Sequence, residues 1–148
     1  MPAVSSIRVG IRARPLGYNE LRDGCQSCVG FPGENDVIIG GTKQFSFDHV
    51  FGDQVTQEEI YNKGVQDMIN NLFLGYNVTV LAYGQTGSGK TFTMGTNFTD
   101  TTITQNSGII PRAIKDIYDY LEPIKENAVV CVKVSFIEVE SILLCSKF

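Results

Sequence analysis

"LAYGQTGSGKTFTMG", residues 81–95, is the stretch whose reading decides the fold. Gly84 and Gly89 bracket Gln85, Thr86, Gly87 and Ser88, and Lys90 and Thr91 follow at once, which satisfies G-x-x-x-x-G-K-[ST]. A phosphate chain is held best by several backbone N–H groups converging on its oxygens, and side chains block that approach. Gly84, Gly87 and Gly89 leave the space open and reach φ values that other residues avoid. A helix starting after Gly89 would aim its positive dipole end at the anion. Lys90 then sets a compact positive charge beside the β- and γ-phosphates, and the Thr91 hydroxyl is the expected Mg²⁺ ligand. The competing reading is a glycine-rich turn with an exposed lysine. Against it stands the preceding "NVTVLAY", residues 77–83, a β-branched run suited to a strand covered on both faces, as in a parallel sheet.

The base is narrowed by a missing motif. A GTPase carries N-K-x-D to read guanine, and the nearest string, Asn62-Lys63-Gly64-Val65, lacks the aspartate and lies inside a predicted helix. ATP with Mg²⁺ is therefore the expected ligand.

Working outward, residues 7–13 alternate Ile7, Val9, Ile11 and Ala13 with Arg8, Gly10 and Arg12, which reads as a strand with one buried face, stopped by Pro15. Residues 16–36 are turn-rich, with Gly17, Gly24, Gly30 and Pro32-Gly33. Short strands are predicted at 37–39 and 45–48, turned at Thr42-Lys43. Thr56 with Glu59 forms a capping box, with Val55 placed to staple onto Ile60. Tyr61, Val65, Met68, Ile69, Leu72 and Phe73 continue one apolar helical face, and Gly75 supplies a left-handed stop. Residues 93–107 read as a long polar loop. Pro111 suits the first position of a further helix, with Ile114, Ile117, Tyr118 and Leu121 as its apolar stripe. Residues 130–136 alternate as a final strand. This helix–strand order is α/β.

The bulk properties agree with a single domain of 148 residues. Hydrophobic residues make 43% and charged residues 19%, a globular balance, and no apolar run is long enough to span a bilayer. The first fifteen residues do not form a signal peptide, so an intracellular protein is expected and the sequons at Asn77 and Asn97 are chance matches. Net charge is -4, which argues against a nucleic-acid surface. Cys25 and Cys28 have the spacing of half a zinc site, but Cys131 and Cys145 form no second pair, so buried or half-buried reduced thiols are expected. His49 has no ligand or nucleophile pattern around it and reads as structural.

Several strings together are more specific than the glycine pattern. "IRVGIRARP", "FSFDHVFG", "TQEEIYNKGVQDMINNLFLGYNVTVLAYGQTGSGKTFTMG" and "GIIPRAIKDIY" resemble, in order, successive segments of the kinesin motor domain. "DGCQSCVGFPGENDVIIG" is similar to the chromokinesin branch, which makes Cys25 and Cys28 family features. The resemblance covers residues 6–138. It implies a P-loop NTPase-type mixed sheet flanked by helices and an ATP-driven motor whose partner is the microtubule, tubulin. It also implies that Arg12, Arg14 and Pro15 border the adenine and that Phe92 lies beside the base. Read without it, Arg12 and Arg14 are two solvated arginines on a strand edge. A cytoplasmic, cytoskeletal protein follows, nuclear or spindle-associated by the same resemblance, with no membrane and no nucleic acid as partner.

The resemblance has an edge. Kinesins position the attacking water with N-x-x-S-S-R-S-H and D-x-A-G-x-E, and neither string occurs in the 148 residues. Asp48 and Glu138 are the only carboxylates in strand-like apolar surroundings and are expected to be structural or exposed, so no catalytic residue is assigned. After "VSFIEV" the chain reads "ESILLCSKF", unlike the family. The expectation is therefore residues 6–139 as the N-terminal part of a motor domain, truncated before the switch regions, and 140–148 as a divergent tail. Two readings compete: the nucleotide-binding half of a microtubule-dependent ATPase, and a non-catalytic binding or regulatory fragment. The family's sheet order also predicts open edges on residues 78–82 and a chain that folds poorly alone.

Overall fold

The computed structural model describes residues 7–95, 102–126 and 128–137. Strand β1, Gly10–Arg12, pairs in parallel with β5, His49–Phe51, in the register Gly10↔His49 to Arg12↔Phe51. Between them lie helix α1, Tyr18–Arg22, and strands β2, Val29–Gly30, β3, Asp36–Ile39, and β4, Lys43–Ser46. These three strands form an antiparallel sheet ordered β2-β3-β4. Of the alternation at 7–13 only Gly10–Arg12 is strand, and Ile7 and Val9 of its expected buried face are exposed. Asp48, one of the two carboxylates considered for chemistry, is structural: its Oδ2 accepts from the Val9 N–H at 2.7 Å. Of the segment expected at 45–48, only Phe45 and Ser46 are strand, in β4; the chain turns at Phe47-Asp48 to change sheets before β5. The turn-rich stretch holds α1, whose Glu20 reaches back to the Gly17 N–H at 2.7 Å.

Helix α2, Gln57–Gly64, starts where its capping box predicts: the Thr56 hydroxyl accepts from the Glu59 N–H at 3.2 Å, and the Glu59 carboxylate accepts from the Thr56 N–H at 2.9 Å. The single helix expected over the next turns is instead broken. Val65 has φ -127° and ψ -37°, and a second helix α3, Gln66–Phe73, begins after it. Gly64 and β-branched Val65 stand side by side at the break, glycine being the poorest helix former apart from proline and valine one of the weaker ones. Gly75, at φ +90°, ends α3 as predicted. Helix α4, Lys90–Met94, follows the glycine loop and extends into the stretch expected to be loop.

Helix α5, Ile109–Leu121, begins two residues before Pro111. A proline is tolerated there because first-turn N–H groups have no intrahelical partner. The earlier start shifts the buried stripe: Ile109 is buried and Ala113 and Ile117 pack beside it, whereas Ile114 and Tyr118 are 47% exposed. The core lies where α2 and α3 meet α5, around Tyr61, Val65, Ile69 and Ile109, with Val80 and Met94 at its margin.

Two strand expectations fail. Residues 76–84 and 128–137 form no strand and carry no ladder bonds to the described residues. In the first, Val78, Val80 and Ala82 are half-buried, while Leu81 and Tyr83 are 83% and 95% exposed, so one face is uncovered where both were expected to be covered. A cavity of about 830 Å³ separates this segment from β1. Cys25, Cys28 and Cys131 are exposed free thiols rather than buried ones. Glu138, Cys145, Asn97 and the tail at 140–148 lie outside the described residues. Among the described residues no helix is long and apolar enough to cross a membrane.

Candidate functional site

The glycine loop joins the segment 76–84 to α4. Gly84 has φ +155°, a conformation that residues bearing a Cβ rarely adopt, and a Cβ there would meet the Ser88 Oγ at 2.7 Å and force that side chain to move. Gly87 and Gly89 have φ +79° and +96°, and Gly89 caps α4 in the left-handed conformation. Lys90 curls over the loop, its Nζ donating to the Gly84 carbonyl at 2.7 Å and the Gln85 carbonyl at 2.9 Å. Thr91 and Phe92, the next two residues, are exposed, Phe92 by 50%. One ammonium, one hydroxyl and a run of amides with little side chain over them therefore converge at 84–91.

That arrangement fits a nucleotide's phosphates with a divalent cation. Gly84, Gly87 and Gly89 hold the loop in positive-φ conformations with no side chain over them, the lysine ammonium reaches the Gly84 and Gln85 carbonyls, and the Thr91 hydroxyl is a hard oxygen donor of the kind Mg²⁺ selects.

The residues expected near the base divide in two. Arg12 and Phe92 come together: the Arg12 guanidinium lies 5.2 Å from the Phe92 ring centroid, and its Nη1 donates to the Thr93 hydroxyl at 2.8 Å and to Gln57 Oε1 at 2.7 Å. Burial holds the Arg12 pKa below its ordinary value. The reading of Arg12 as a solvated strand-edge arginine is thereby overturned. Arg14 turns the other way, onto Glu20, with bonds of 2.7 and 2.6 Å to its two oxygens. That bidentate hydrogen bonding, with the Gly17 N–H, holds the exposed Glu20 carboxyl at about 2, well below the ordinary range, and raises Arg14. Pro15 is exposed, its carbonyl accepting from Arg14 Nη1 at 3.0 Å.

Sequence reasoning missed Gln57. It reads as a solvated first-turn residue, yet it is 4% exposed, and its Nε2 donates to the carbonyls of Phe92 at 2.6 Å and Asn106 at 3.2 Å. Gly95 and Gly108 were also missed. A Cβ on Gly108 would stand 2.5 Å from the Gly95 N and 2.6 Å from the Thr93 carbonyl, so the end of α4 and the start of α5 touch backbone to backbone. The only local signal for either was the glycine pair itself.

The kinesin motor domain family model matches residues 12–142. Chromosome-associated kinesin KIF4 of Mus musculus is 44% identical over 150 residues, covering 95% of this chain and 12% of the relative. The Gallus gallus KIF4 is 47% identical over 142 residues, covering 92% and 12%. Among solved structures, a fast kinesin matches with TM-score 0.73 and 34% identity over 80% of this chain and 34% of that one. The Drosophila kinesin family member Kin10/NOD in complex with divalent manganese and ADP matches with TM-score 0.69 and 31% identity, over 84% and 41%. The chain thus spans a small part of the curated relatives and less than half of the solved ones. Its α/β fold is that of kinesin motors. With a family match across most of its length and these identities, the chain belongs to the kinesin motor domain family.

Proposed function

We propose that the chain is the ATP-binding part of a kinesin-type microtubule motor. The observation that carries this reading is the loop at 84–91, with Gly84, Gly87 and Gly89 at positive φ and Lys90 folded across it. The amides of 84–91 and the Lys90 ammonium hold the phosphates, and Thr91 supplies an oxygen to Mg²⁺. When bound, the cation neutralises phosphate charge. Arg12 and Phe92 form the platform at the base, with Pro15 and, its guanidinium turned onto Glu20, Arg14 at its border. The binding of ADP and a divalent metal by the Kin10/NOD motor supports the ligand. A Drosophila NOD structure docked on the microtubule supports the partner.

In this reading residues 6–139 are motor-domain sequence and 140–148 a divergent tail. The complete motor couples ATP hydrolysis to movement along microtubules, and these residues need neither a membrane nor a nucleic acid. A cytoskeletal location, at chromosomes or the spindle, is supported by the chromosome-associated relatives. A second reading concerns the 148 residues by themselves. They contain neither N-x-x-S-S-R-S-H nor D-x-A-G-x-E, so they bind nucleotide without turning it over.

The test is ATP binding and turnover by the chain, with and without microtubules. Nucleotide binding without microtubule-stimulated turnover is expected. Stimulated turnover would overturn the non-catalytic reading, and absence of binding would overturn both.

A further inference from the structure

We propose that Gln57 is a positioning residue for the base end of the nucleotide site, holding Arg12 and Phe92 in one fixed platform. The inference rests on the nucleotide-binding reading of the loop.

A primary amide that is 4% exposed is strongly disfavoured unless its polar atoms are paired, so its partners matter. Gln57 has three, drawn from segments 45, 35 and 49 residues away: Arg12 of β1, Phe92 of α4 and Asn106 of the loop before α5. Their chemistry dictates the orientation of the amide. Arg12 can only donate, so it faces Oε1; the Phe92 and Asn106 carbonyls can only accept, so they face Nε2. A carboxylate would meet two carbonyl oxygens without a proton to offer, and a thioether would satisfy none of the three.

The result is that one side chain grips both halves of the platform. Gln57 and the Thr93 hydroxyl each accept from Arg12 Nη1, which brings the guanidinium against the Phe92 ring. The same amide pins the Phe92 backbone through its carbonyl. Phe92 keeps half of its surface exposed, which is what an aromatic ring needs to stack on a nucleobase. Among the described residues no hydrogen bond joins Gln57 to 84–91, so its influence should fall on the base rather than on the phosphates.

That separation is the test. Dissociation constants for Mg-ATP and for magnesium tripolyphosphate are measured on the chain and on Gln57→Met, with thermal melts alongside. ATP binding should weaken about tenfold while tripolyphosphate binding changes less than about twofold, an effect the size of one or two hydrogen bonds. Thr93→Val, nearly isosteric and removing only the hydroxyl that helps hold Arg12, should give the same ATP-selective loss at about threefold, and it decides the matter if Gln57→Met does not fold. Equal loss for both probes, or no loss for either, overturns the proposal. Failure of the unsubstituted chain to bind either probe overturns the nucleotide reading itself, and this proposal with it.

Discussion

Gly108→Ala isolates the contact on which the placement of α4 depends. Gly108 has φ -81°, which alanine adopts without strain, so the substitution tests space alone. The added Cβ would lie 2.5 Å from the Gly95 N, 2.6 Å from the Thr93 carbonyl oxygen and 2.7 Å from the Gly95 Cα. All three are backbone atoms, and no rotamer change relieves them. Overpacking of this kind costs about 1–3 kcal/mol, and three simultaneous backbone clashes put the expectation at about 3 kcal/mol. For a chain of this size that lowers the melting temperature by about 6–12 °C. Gly30→Ala is the control: Gly30 has ordinary φ and nothing within 4 Å of its Cβ position, so its cost should stay within about 0.5 kcal/mol. Urea unfolding of the three proteins reads the difference. Because α4 carries Lys90 and Thr91, Gly108→Ala should also weaken Mg-ATP binding, whereas Gly30→Ala should not. Equal stability of the two variants would refute the close approach of α4 to α5.

Thr56→Ala removes the cap that accepts from Glu59 N–H and should cost about 1 kcal/mol in the same unfolding assay; no loss would mean that α2 does not rely on it. Tyr61→Phe deletes the 2.6 Å bond from the buried Tyr61 hydroxyl to Asp116 that ties α2 to α5, and a loss of about 1–2 kcal/mol is expected. Glu20, held at about 2 against an ordinary 4.5, has a depressed folded pKa. Whatever it contributes is therefore present above the ordinary value and lost as pH falls through about 2. An NMR titration of its carboxyl should show the low midpoint, and Arg14→Gln should raise it; an ordinary midpoint in the unsubstituted chain contradicts the bidentate pair.

What could be read from the sequence was written in neighbouring residues. Thr56 and Glu59 announce the start of α2, Gly75 the end of α3, and 84–91 the loop, because capping, left-handed backbone and phosphate cradles are each local chemistry. What depended on distant partners was not legible. Gln57 is buried only because Arg12, Phe92 and Asn106 converge on it, and nothing beside it in the chain says so. Residues 76–84 have strand composition, but a strand needs a hydrogen-bonded neighbour, and Leu81 and Tyr83 stand exposed without one among the described residues. The break at Val65 had a local sign in Gly64, which the continuing apolar spacing outweighed. The family strings identified the loop and brought Arg12 to Phe92, but not Arg14 onto Glu20.

The central claim is that the amides of 84–91, with Lys90 and Thr91, hold a magnesium nucleotide. Titration calorimetry of Mg-ATP into the chain and into Lys90→Ala tests it most directly. Saturable binding that weakens about 10- to 100-fold on loss of the ammonium is predicted, the size of one charge-assisted hydrogen bond. No heat of binding to the unsubstituted chain, or equal affinity in the two, would contradict it.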